Sequence, residues 1–283
     1  MPELPEVETV CRGLNTVTRQ HIILGGEVLL QRTLAFPIPV PEFLAGVTGK
    51  QIQHWQRRGK YLLAQLVSPS ETAGGWLGVH LRMTGQLLWL TQDTPLQKHT
   101  RVRLFFENGQ ELRFVDMRTF GKMWWIPPSK APEEIMTGLR QLGVEPFSAE
   151  FSAQYLETKL KSRQRSIKAV LLDQNIVAGL GNIYADEALF LSGIRPNAIA
   201  SNLTLPQLER LHTAIIKVLQ TAIDKGGTTF SDFLNVMGVN GNYKGVAWVY
   251  GRTGEPCRVC GTAIERIKIT GRSTHLCPKC QSL

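Results

Sequence analysis

The C-terminal region reads CRVCGTAIERIKITGRSTHLCPKC over residues 257–280, which places two Cys-x2-Cys pairs sixteen residues apart. A structural Zn²⁺ site prefers four thiolates in a tetrahedron, and two such pairs on a hairpin supply them without leaving a coordination position open. The stretch therefore predicts a four-cysteine β-hairpin zinc finger that binds one structural Zn²⁺. The predicted ligands are Cys257, Cys260, Cys277 and Cys280.

The charge of the chain indicates a polyanionic partner. The 283 residues include 32 Lys and Arg against 23 Asp and Glu, a formal net charge of +9. Residues 1–150 carry 16 basic and 14 acidic side chains, whereas residues 151–283 carry 16 and 9, so most of the excess lies in the second half. Basic residues also outnumber acidic ones around the cysteines. Contact with nucleic acid is therefore favoured, although zinc ribbons also serve as protein-interaction modules.

Composition excludes several other classes. With 43% apolar and 19% charged residues, the chain can bury a core and is not disordered. No run approaches the roughly 18 apolar residues of a membrane span, and the amino end has no secretory pattern. We expect a cytoplasmic protein, in which clustered cysteines bind metal rather than form disulfides. Cys11 lies on the apolar phase of the first helix, where we expect it to be buried.

The hydrophobic pattern has a period near 3.6 in some regions and near 2 in others, which predicts an α+β multidomain protein. A helix of about three turns is predicted from Pro5, followed by alternating apolar patterns typical of an antiparallel sandwich or barrel. Asn108-Gly109 predicts a tight hairpin turn. The predicted strands are 22–30, 52–57, 61–67, 76–82, 86–91, 101–107, 110–115 and 122–126.

The second half has a helical pattern. Gly179-Leu-Gly181-Asn182 opens one of its helices and offers backbone N–H groups that could hold a phosphate, although a plain helix connection fits as well. The predicted helices are 151–161, 167–173, 183–191 and 206–225, before a Gly- and Asn-rich loop at 226–251. The domains predicted from these patterns are residues 1–130, a linker at 131–150, residues 151–251 and the finger at 252–283.

The amino end carries a potential nucleophile. Removal of Met1 would leave Pro2 as a secondary amine at a helix start, next to Glu3 and Glu6. An α-amino group has a pKa of about 7.7–8.0, against about 10.4 for lysine, so more of it is neutral near pH 7.5. A terminal amine can therefore form a Schiff base. Most protein termini perform no chemistry, and that alternative stays open from composition alone.

Three motifs together resemble one family across nearly the whole chain. They are Pro2-Glu-Leu-Pro-Glu-Val-Glu-Thr9, Gly179-Leu-Gly-Asn-Ile-Tyr-Ala-Asp-Glu187 and the four-cysteine finger. In this order and spacing they resemble the formamidopyrimidine-DNA glycosylase family. The resemblance implies an N-terminal helix plus antiparallel β-sandwich, a helix-two-turn-helix domain and a zinc finger, with DNA in the cleft between the halves. It further implies a monomer that excises oxidised and ring-opened purines from double-stranded DNA and then cleaves the strand by β,δ-elimination.

The resemblance also assigns roles to individual residues. Pro2 matches the Schiff-base nucleophile, Glu3 the acid/base group and Glu6 a residue that orders the site. Lys60 matches the lysine that donates a proton in β-elimination, although an exposed strand lysine is the alternative from sequence alone. Arg272 matches the finger arginine that grips phosphate and assists δ-elimination. The implied DNA contacts are Asn182 and Lys168 on phosphates, with His99, Arg118 and Arg163.

An enzyme that extrudes a base must fill the gap left in the stack. Met83 and Phe120 match apolar and aromatic wedges, and Arg118 matches the arginine that hydrogen-bonds the unpaired base, which implies cytosine opposite the lesion. In isolation, Met83 and Phe120 would be interpreted as core residues.

The loop at residues 235–247 departs from the usual bacterial pattern and resembles the cyanobacterial and plant variant. The rank of 8-oxoguanine among substrates is therefore open. Two other functions remain alternatives: an endonuclease VIII-like glycosylase for oxidised pyrimidines, disfavoured by Leu4, Arg118 and Phe120, and a zinc-ribbon DNA-binding protein without chemistry.

Overall fold

The computed structural model describes residues 1–68, 71–228 and 234–281, and its internal contacts divide the chain into two compact units. The first, called the sheet unit below, comprises Met1–Gln141 and Gly226–Gly241. The second, called the helical unit, comprises Leu142–Lys225 and Asn242–Leu283. Within the described residues, no helix has the length and apolar character needed to cross a membrane.

The sheet unit begins with the predicted amphipathic helix. Helix α1 spans Leu4–Val17, with Pro5 in its first turn, and buries Val7, Val10 and Leu14 on one face. The remaining helices are α2 (Val40–Val47), α3 (Pro132–Ile135) and α4 (Thr137–Arg140). The strands are β1 (Gly25–Val28), β2 (Leu34–Phe36), β3 (Gln51–Arg58), β4 (Tyr61–Ser68), β5 (Glu71–His80), β6 (Gly85–Thr91), β7 (Thr100–Phe105), β8 (Gln110–Asp116) and β9 (Lys122–Ile126).

These strands form two sheets, with the orders β1-β7-β8-β6 and β2-β9-β5-β4-β3. Apolar residues of both sheets, including Leu62, Leu77, Leu87 and Phe114, pack with α1 in one core, which confirms the sandwich prediction. The pairing is antiparallel except for β2 with β9, which is parallel. Strand β2 and helix α2 were not predicted because β2 has only three residues, directly before Pro37, and α2 has only eight, with Pro41 in its first turn. Asn108 and Gly109 have φ angles of 57° and 67°, as the predicted hairpin turn requires.

The helical unit follows the predicted boundaries within about two residues. Its helices are α5 (Ala153–Leu160), α6 (Ile167–Leu171), α7 (Asn182–Leu191) and α8 (Leu205–Asp224). Ser152 caps α5 by accepting a hydrogen bond from the Tyr155 N–H, and Thr204 begins α8 with a capping box. Strands β10 (Glu265–Ile269) and β11 (Arg272–Leu276) form the C-terminal hairpin, which confirms the predicted finger.

Residues 226–228 and 234–241 pack with the sheet unit. Val236 is buried in the core of the sandwich, and its carbonyl accepts a hydrogen bond of 3.0 Å from the Trp89 N–H. A Cβ at Gly13 would lie 3.1 Å from the Val236 Cγ2, so α1 passes close to this segment. The sequence-based division assigned these residues to 151–251, and that four-part division stays a prediction. Residues 229–233 of the predicted 226–251 loop lie outside the described residues.

Candidate active site and zinc centre

The start of α1 buries two carboxylates beside Pro2, which is itself buried. Glu3 and Glu6 are 2% and 1% exposed. One oxygen of Glu6 accepts a hydrogen bond of 2.8 Å from the Glu3 N–H, and the other accepts one of 2.8 Å from the Thr228 N–H. Gly227 has a φ of 79°, and a Cβ there would lie 3.1 Å from the Glu6 side chain. Glu6 therefore hydrogen-bonds both the helix start and the segment that packs on it.

Lys60 lies in the tight turn between β3 and β4, after Gly59 with its φ of 56°, and is 8% exposed. The structure thus excludes the alternative of an exposed strand lysine. Arg57 holds this turn by donating to the Gly59 carbonyl (3.1 Å) and to Glu8 on α1 (2.9 Å). Burial would raise the pKa of Glu8, but hydrogen bonds from Arg12 and Arg57 outweigh it and lower the pKa. Helix α1 and the Lys60 turn are therefore tied together by an ionised carboxylate.

His80, which sequence analysis did not single out, ends β5 opposite Tyr61, with ring centroids 4.5 Å apart. Burial, together with the positive charges of Arg82 and Lys60, lowers the pKa of His80 to about 3. Its Nδ1 accepts a hydrogen bond of 2.9 Å from the Arg82 N–H. Arg82 has a φ of 54°, so the neutral imidazole stabilises a strained residue just before Met83.

The predicted wedge residues lie on turns of the sheet unit. Phe120 is 51% exposed and Arg118 is also exposed, with its guanidinium 5.0 Å from the centroid of the Phe120 ring. Met83 is half-buried, so the core interpretation fails for Phe120 and holds only in part for Met83. His99 is half-buried and lies 3.1 Å from the Arg101 guanidinium through its Nδ1.

The four cysteines meet at the base of the C-terminal hairpin. Their sulfur atoms all lie within 4.8 Å of one another, with 3.9 Å between Cys257 and Cys280 and 3.4 Å between Cys260 and Cys277. A tetrahedron with Zn–S bonds of about 2.3 Å has sulfur atoms roughly 3.8 Å apart, so the donor set and its size fit one structural Zn²⁺. Cys11, by contrast, is buried in the sandwich core, where burial raises its pKa to about 12.

Three of the predicted DNA-contacting residues of the helical unit are accessible or partly so. Arg163 is exposed, and Arg272 is exposed beside the hairpin turn at Gly271. Asn182 begins α7 and donates from Nδ2 to the Ser273 carbonyl at 3.1 Å. Its Oδ1 accepts no hydrogen bond from the residues that the structure describes.

Lys168 requires a correction. Its side chain is buried, and its ammonium lies 2.6 Å from Asp186, 2.9 Å from the Ser273 carbonyl and 2.9 Å from the Thr274 hydroxyl. These contacts connect α6, α7 and β11 inside the helical unit. In this structure Lys168 therefore joins the finger to the helices instead of presenting its charge to a phosphate. Sequence analysis assigned it by motif position, which does not reveal burial.

Sequence analysis also missed Glu187, a buried carboxylate on α7. It accepts hydrogen bonds from the Tyr243 hydroxyl (3.1 Å) and from the N–H groups of Trp248, Val249 and Tyr250 (2.8–2.9 Å). Burial raises the pKa of Glu187, and these donors oppose the shift. Glu187 thereby organises the segment that precedes the finger. The available signal was a pair of acidic residues, Asp186 and Glu187, within an otherwise apolar helix.

Comparison with known families covers most of the chain. Residues 1–123 match the formamidopyrimidine-DNA glycosylase N-terminal domain, residues 142–233 its H2TH domain, and residues 254–283 a zinc finger found in FPG and IleRS. Among relatives, formamidopyrimidine-DNA glycosylase from Rippkaea orientalis is 66% identical over 282 residues and covers 100% of both chains. That of Nostoc sp. is 65% identical, over 99% of this chain and 100% of the relative.

Solved structures show the same fold. A complex between a Lactococcus lactis FPG mutant and a Fapy-dG containing DNA has a TM-score of 0.89 and 36% identity, and covers 100% of both chains. A Lactococcus lactis Fpg complex with an abasic site containing DNA has the same TM-score and identity over 99% and 100% of the two chains. MutM in complex with carbocyclic 8-oxo-G containing DNA has a TM-score of 0.88 and 36% identity over 100% of both.

The sandwich with its buried helix start, the helical unit and the four-thiolate hairpin define a zinc-finger DNA-repair protein. On the identity and coverage of its relatives, the chain belongs to the formamidopyrimidine-DNA glycosylase family.

Proposed function

We propose that this protein is a bifunctional DNA glycosylase and abasic-site lyase of base excision repair, acting as a monomer on double-stranded DNA in the cytoplasm. Its substrates are formamidopyrimidines, 8-oxoguanine and related oxidised purines. The observation that carries the proposal is the helix start, where Pro2 lies buried beside Glu3 and Glu6 in a chain of this family. The similar solved structures contain DNA with Fapy-dG, an abasic site or 8-oxo-G, which supports the substrate class.

The chemistry begins with removal of Met1, since the Pro2 nitrogen is otherwise an amide. The freed secondary amine attacks C1′ of the damaged nucleotide, the bond from C1′ to the base breaks, and the base departs with a proton. The C1′–O4′ bond then breaks and O4′ takes up a proton, which opens the sugar ring and leaves an iminium between the Pro2 nitrogen and C1′. The iminium acidifies the 2′ hydrogen, so loss of that proton expels the 3′ phosphate by β-elimination, and δ-elimination then releases the 5′ phosphate. Glu3 carries protons at the sugar, and Lys60 supplies a proton during β-elimination.

The remaining residues hold the substrate. Met83, Arg118 and Phe120 occupy the gap left by the extruded base, with Arg118 donating to the opposite cytosine. Arg163, Asn182 and Arg272 bind phosphates, and His99 in the sheet unit makes a further DNA contact. The zinc ion holds the hairpin that carries Arg272 and takes no part in bond cleavage.

Borohydride trapping tests the proposal. Met1-processed protein is mixed with duplexes that carry 8-oxoguanine or a formamidopyrimidine opposite C, and the covalent adduct is quantified after reduction. We expect an adduct with both lesions, and Pro2→Gly should lose most of it because a primary amine on a flexible residue replaces the positioned secondary amine. Protein that retains Met1 serves as the matched control and should form none. A zinc-ribbon protein without chemistry would bind the duplexes and give no adduct with any preparation.

Substrate choice is resolved by a panel of formamidopyrimidine, 8-oxoguanine, its further oxidation products and thymine glycol. We expect ring-opened purines to be excised, and the panel measures where 8-oxoguanine ranks among the substrates. Faster excision of thymine glycol than of any purine lesion would instead support the endonuclease VIII-like alternative.

A further inference from the structure

Three segments of the sheet unit that carry proposed DNA-contacting groups meet at one buried residue, Asp116. Asp116 ends β8 and is 1% exposed. In the sheet register it lies opposite Gly85, the first residue of β6, so the turn that carries Met83 is its neighbour. On its other side the chain runs directly into the turn that carries Arg118 and Phe120.

The carboxylate closes that second turn. One Asp116 oxygen accepts a hydrogen bond of 2.7 Å from the Gly121 N–H, five residues further along the chain. A Cβ at Gly121 would lie 2.5 Å from the Phe114 ring and 3.0 Å from the same carboxylate oxygen, so the closed turn has room only for glycine. Inside it, Thr119 has a φ of 59°. The bond to Gly121 therefore holds a strained turn whose side chains point to solvent at Phe120 and Arg118.

The other carboxylate oxygen reaches the Met83 turn through Thr84. The Thr84 hydroxyl donates a hydrogen bond to the Asp116 carboxylate. The Thr84 hydroxyl oxygen in turn accepts a hydrogen bond of 2.9 Å from the Arg118 N–H. A hydroxyl has one proton and two lone pairs, so this pairing uses Thr84 as donor and acceptor at once. The residue beside Met83 is thereby hydrogen-bonded to the backbone that carries Arg118.

The backbone of Asp116 connects the third segment. Its N–H donates to the His99 carbonyl at 2.9 Å, and its carbonyl accepts a hydrogen bond of 2.8 Å from the Arg101 guanidinium, which also lies 3.1 Å from the His99 ring. One residue thus contacts the segments that carry Met83, His99 and the pair Arg118 and Phe120.

We propose that Asp116 and its hydroxyl relay Thr84 are positioning residues that hold the wedge residues Met83, Arg118 and Phe120 as one preformed unit. Neither acts on the sugar. They set the relative placement of groups that must enter the DNA together when a base is extruded, and each hydrogen bond removes a motion that would otherwise be frozen at that step. The inference rests on the proposed glycosylase function and adds a cause for efficient extrusion.

The test compares two substrates in single-turnover experiments. A damaged purine in duplex DNA must be extruded before excision, whereas a preformed abasic site has no base to extrude and reports the Pro2 chemistry. For Thr84→Val, which removes the hydroxyl without changing the shape, we expect excision to fall about tenfold, the size of effect that loss of one hydrogen bond can produce. Borohydride trapping on the abasic duplex should change less than about threefold. Asp116→Asn should show a smaller split in the same direction, because its amide can bond both the Gly121 N–H and the Thr84 hydroxyl but lacks the stronger hydrogen bonds of an ionised carboxylate.

Two further variants keep the test specific. Thr84→Ser retains the hydroxyl and should restore excision. Thr91→Val is the matched control, since the Thr91 hydroxyl also donates to an aspartate, Asp93, at the exposed far end of the same strand β6, and it should excise as wild type does. Fluorescence of 2-aminopurine next to the lesion follows extrusion directly, and its rise should slow by the same factor as excision in Thr84→Val.

The proposal is overturned if the variants lose activity equally on both substrates while their melting temperature falls, because that result indicates a purely structural role. It is also overturned if excision is unchanged in Thr84→Val and Asp116→Asn. Failure of the proposed function is distinguishable from either result, because wild-type protein would then trap no abasic DNA at all.

Discussion

The two units of the molecule each contain a buried aspartate that several segments share, but the donors around the two differ. Asp116 in the sheet unit accepts from a hydroxyl and a backbone N–H, both neutral. Asp186 in the helical unit lies 2.6 Å from the Lys168 ammonium and accepts a hydrogen bond of 2.9 Å from the His275 N–H. Removing one neutral donor leaves a carboxylate with its other bonds, whereas removing the lysine leaves a buried charge without its counter-ion. Asp116 should therefore govern geometry, and Asp186 should govern stability.

Removal of the metal should have the largest effect on local stability, and this effect should be confined to the helical unit. Zn²⁺ binding to four thiolates contributes on the order of 10 kcal/mol to the folding of a segment with so small a core. Chelation should abolish hydrogen-exchange protection in residues 257–280, while peptides of the sheet unit, such as residues 61–68, stay protected. Loss of protection in both regions to the same extent would contradict an effect of the metal that is confined to the helical unit.

Breaking the Lys168 ion pair should come next. Lys168→Met should lower the free energy of unfolding of the zinc-loaded protein by about 3–5 kcal/mol, because it strands the Asp186 carboxylate in the interior. Adding Asp186→Leu should recover part of the loss, since no charge then remains buried. Denaturant unfolding followed by tryptophan fluorescence measures both. Lys161→Met removes an exposed lysine near the end of α5 and is the matched control. If Lys168→Met unfolds at the same denaturant concentration as this control, Lys168 is not a structural residue.

In the sheet unit, His80 should make the free energy of unfolding depend on pH. The pKa of His80 in the folded protein is about 3, below its ordinary value of 6.5. Between these two pH values the unfolded chain binds a proton at His80, whereas the folded chain does not. The contribution of His80 to the free energy of unfolding is therefore fully present above about pH 6.5 and is lost as the pH falls towards 3. At pH 5 the loss is about 2 kcal/mol. His80→Asn keeps an acceptor for the Arg82 N–H and removes the titration. Unfolding free energies at pH 7 and pH 5 should differ less for this variant than for wild type, and equal differences would refute the assignment.

The smallest effect should be on DNA affinity. Arg163 is exposed, so Arg163→Gln should leave stability unchanged and reduce the slope of log K against log salt by about 0.9, the value for one neutralised phosphate. Arg19→Gln, a change at an exposed arginine of the sheet unit that is assigned no DNA contact, is the control. Identical salt slopes for the two variants would remove Arg163 from the interface.

The sequence predicted much of this molecule because its strongest signals are local. The periodicity of α1 and α8, the Asn108-Gly109 turn and the spacing of the four cysteines depend on neighbouring residues, and the structure agrees with each. Short elements such as β2 were missed because three residues are too few to show an alternating hydrophobic pattern. Parallel pairing of β2 with β9 joins residues about ninety positions apart, which no local pattern encodes.

Side-chain roles were harder to predict where burial decides them. Lys168 matched a phosphate-binding position, yet three partners hold its ammonium inside the helical unit. Asp116 lies only two residues before Arg118 in the sequence, but its contacts with Thr84 and His99 arise only when β6, β7 and β8 pair. Residues proposed to contact DNA can be identified from motif and charge, while the residues that position them can be identified only from the fold.

The most direct test of the account is the location of the reduced adduct. After borohydride trapping on a duplex with a damaged purine opposite C, digestion and mass spectrometry should find the sugar remnant on the amino-terminal peptide, attached to the nitrogen of Pro2, with Met1 absent. Attachment to Lys60 or to another lysine, with an unmodified Pro2 peptide, would contradict the central claim that the terminal amine performs the chemistry.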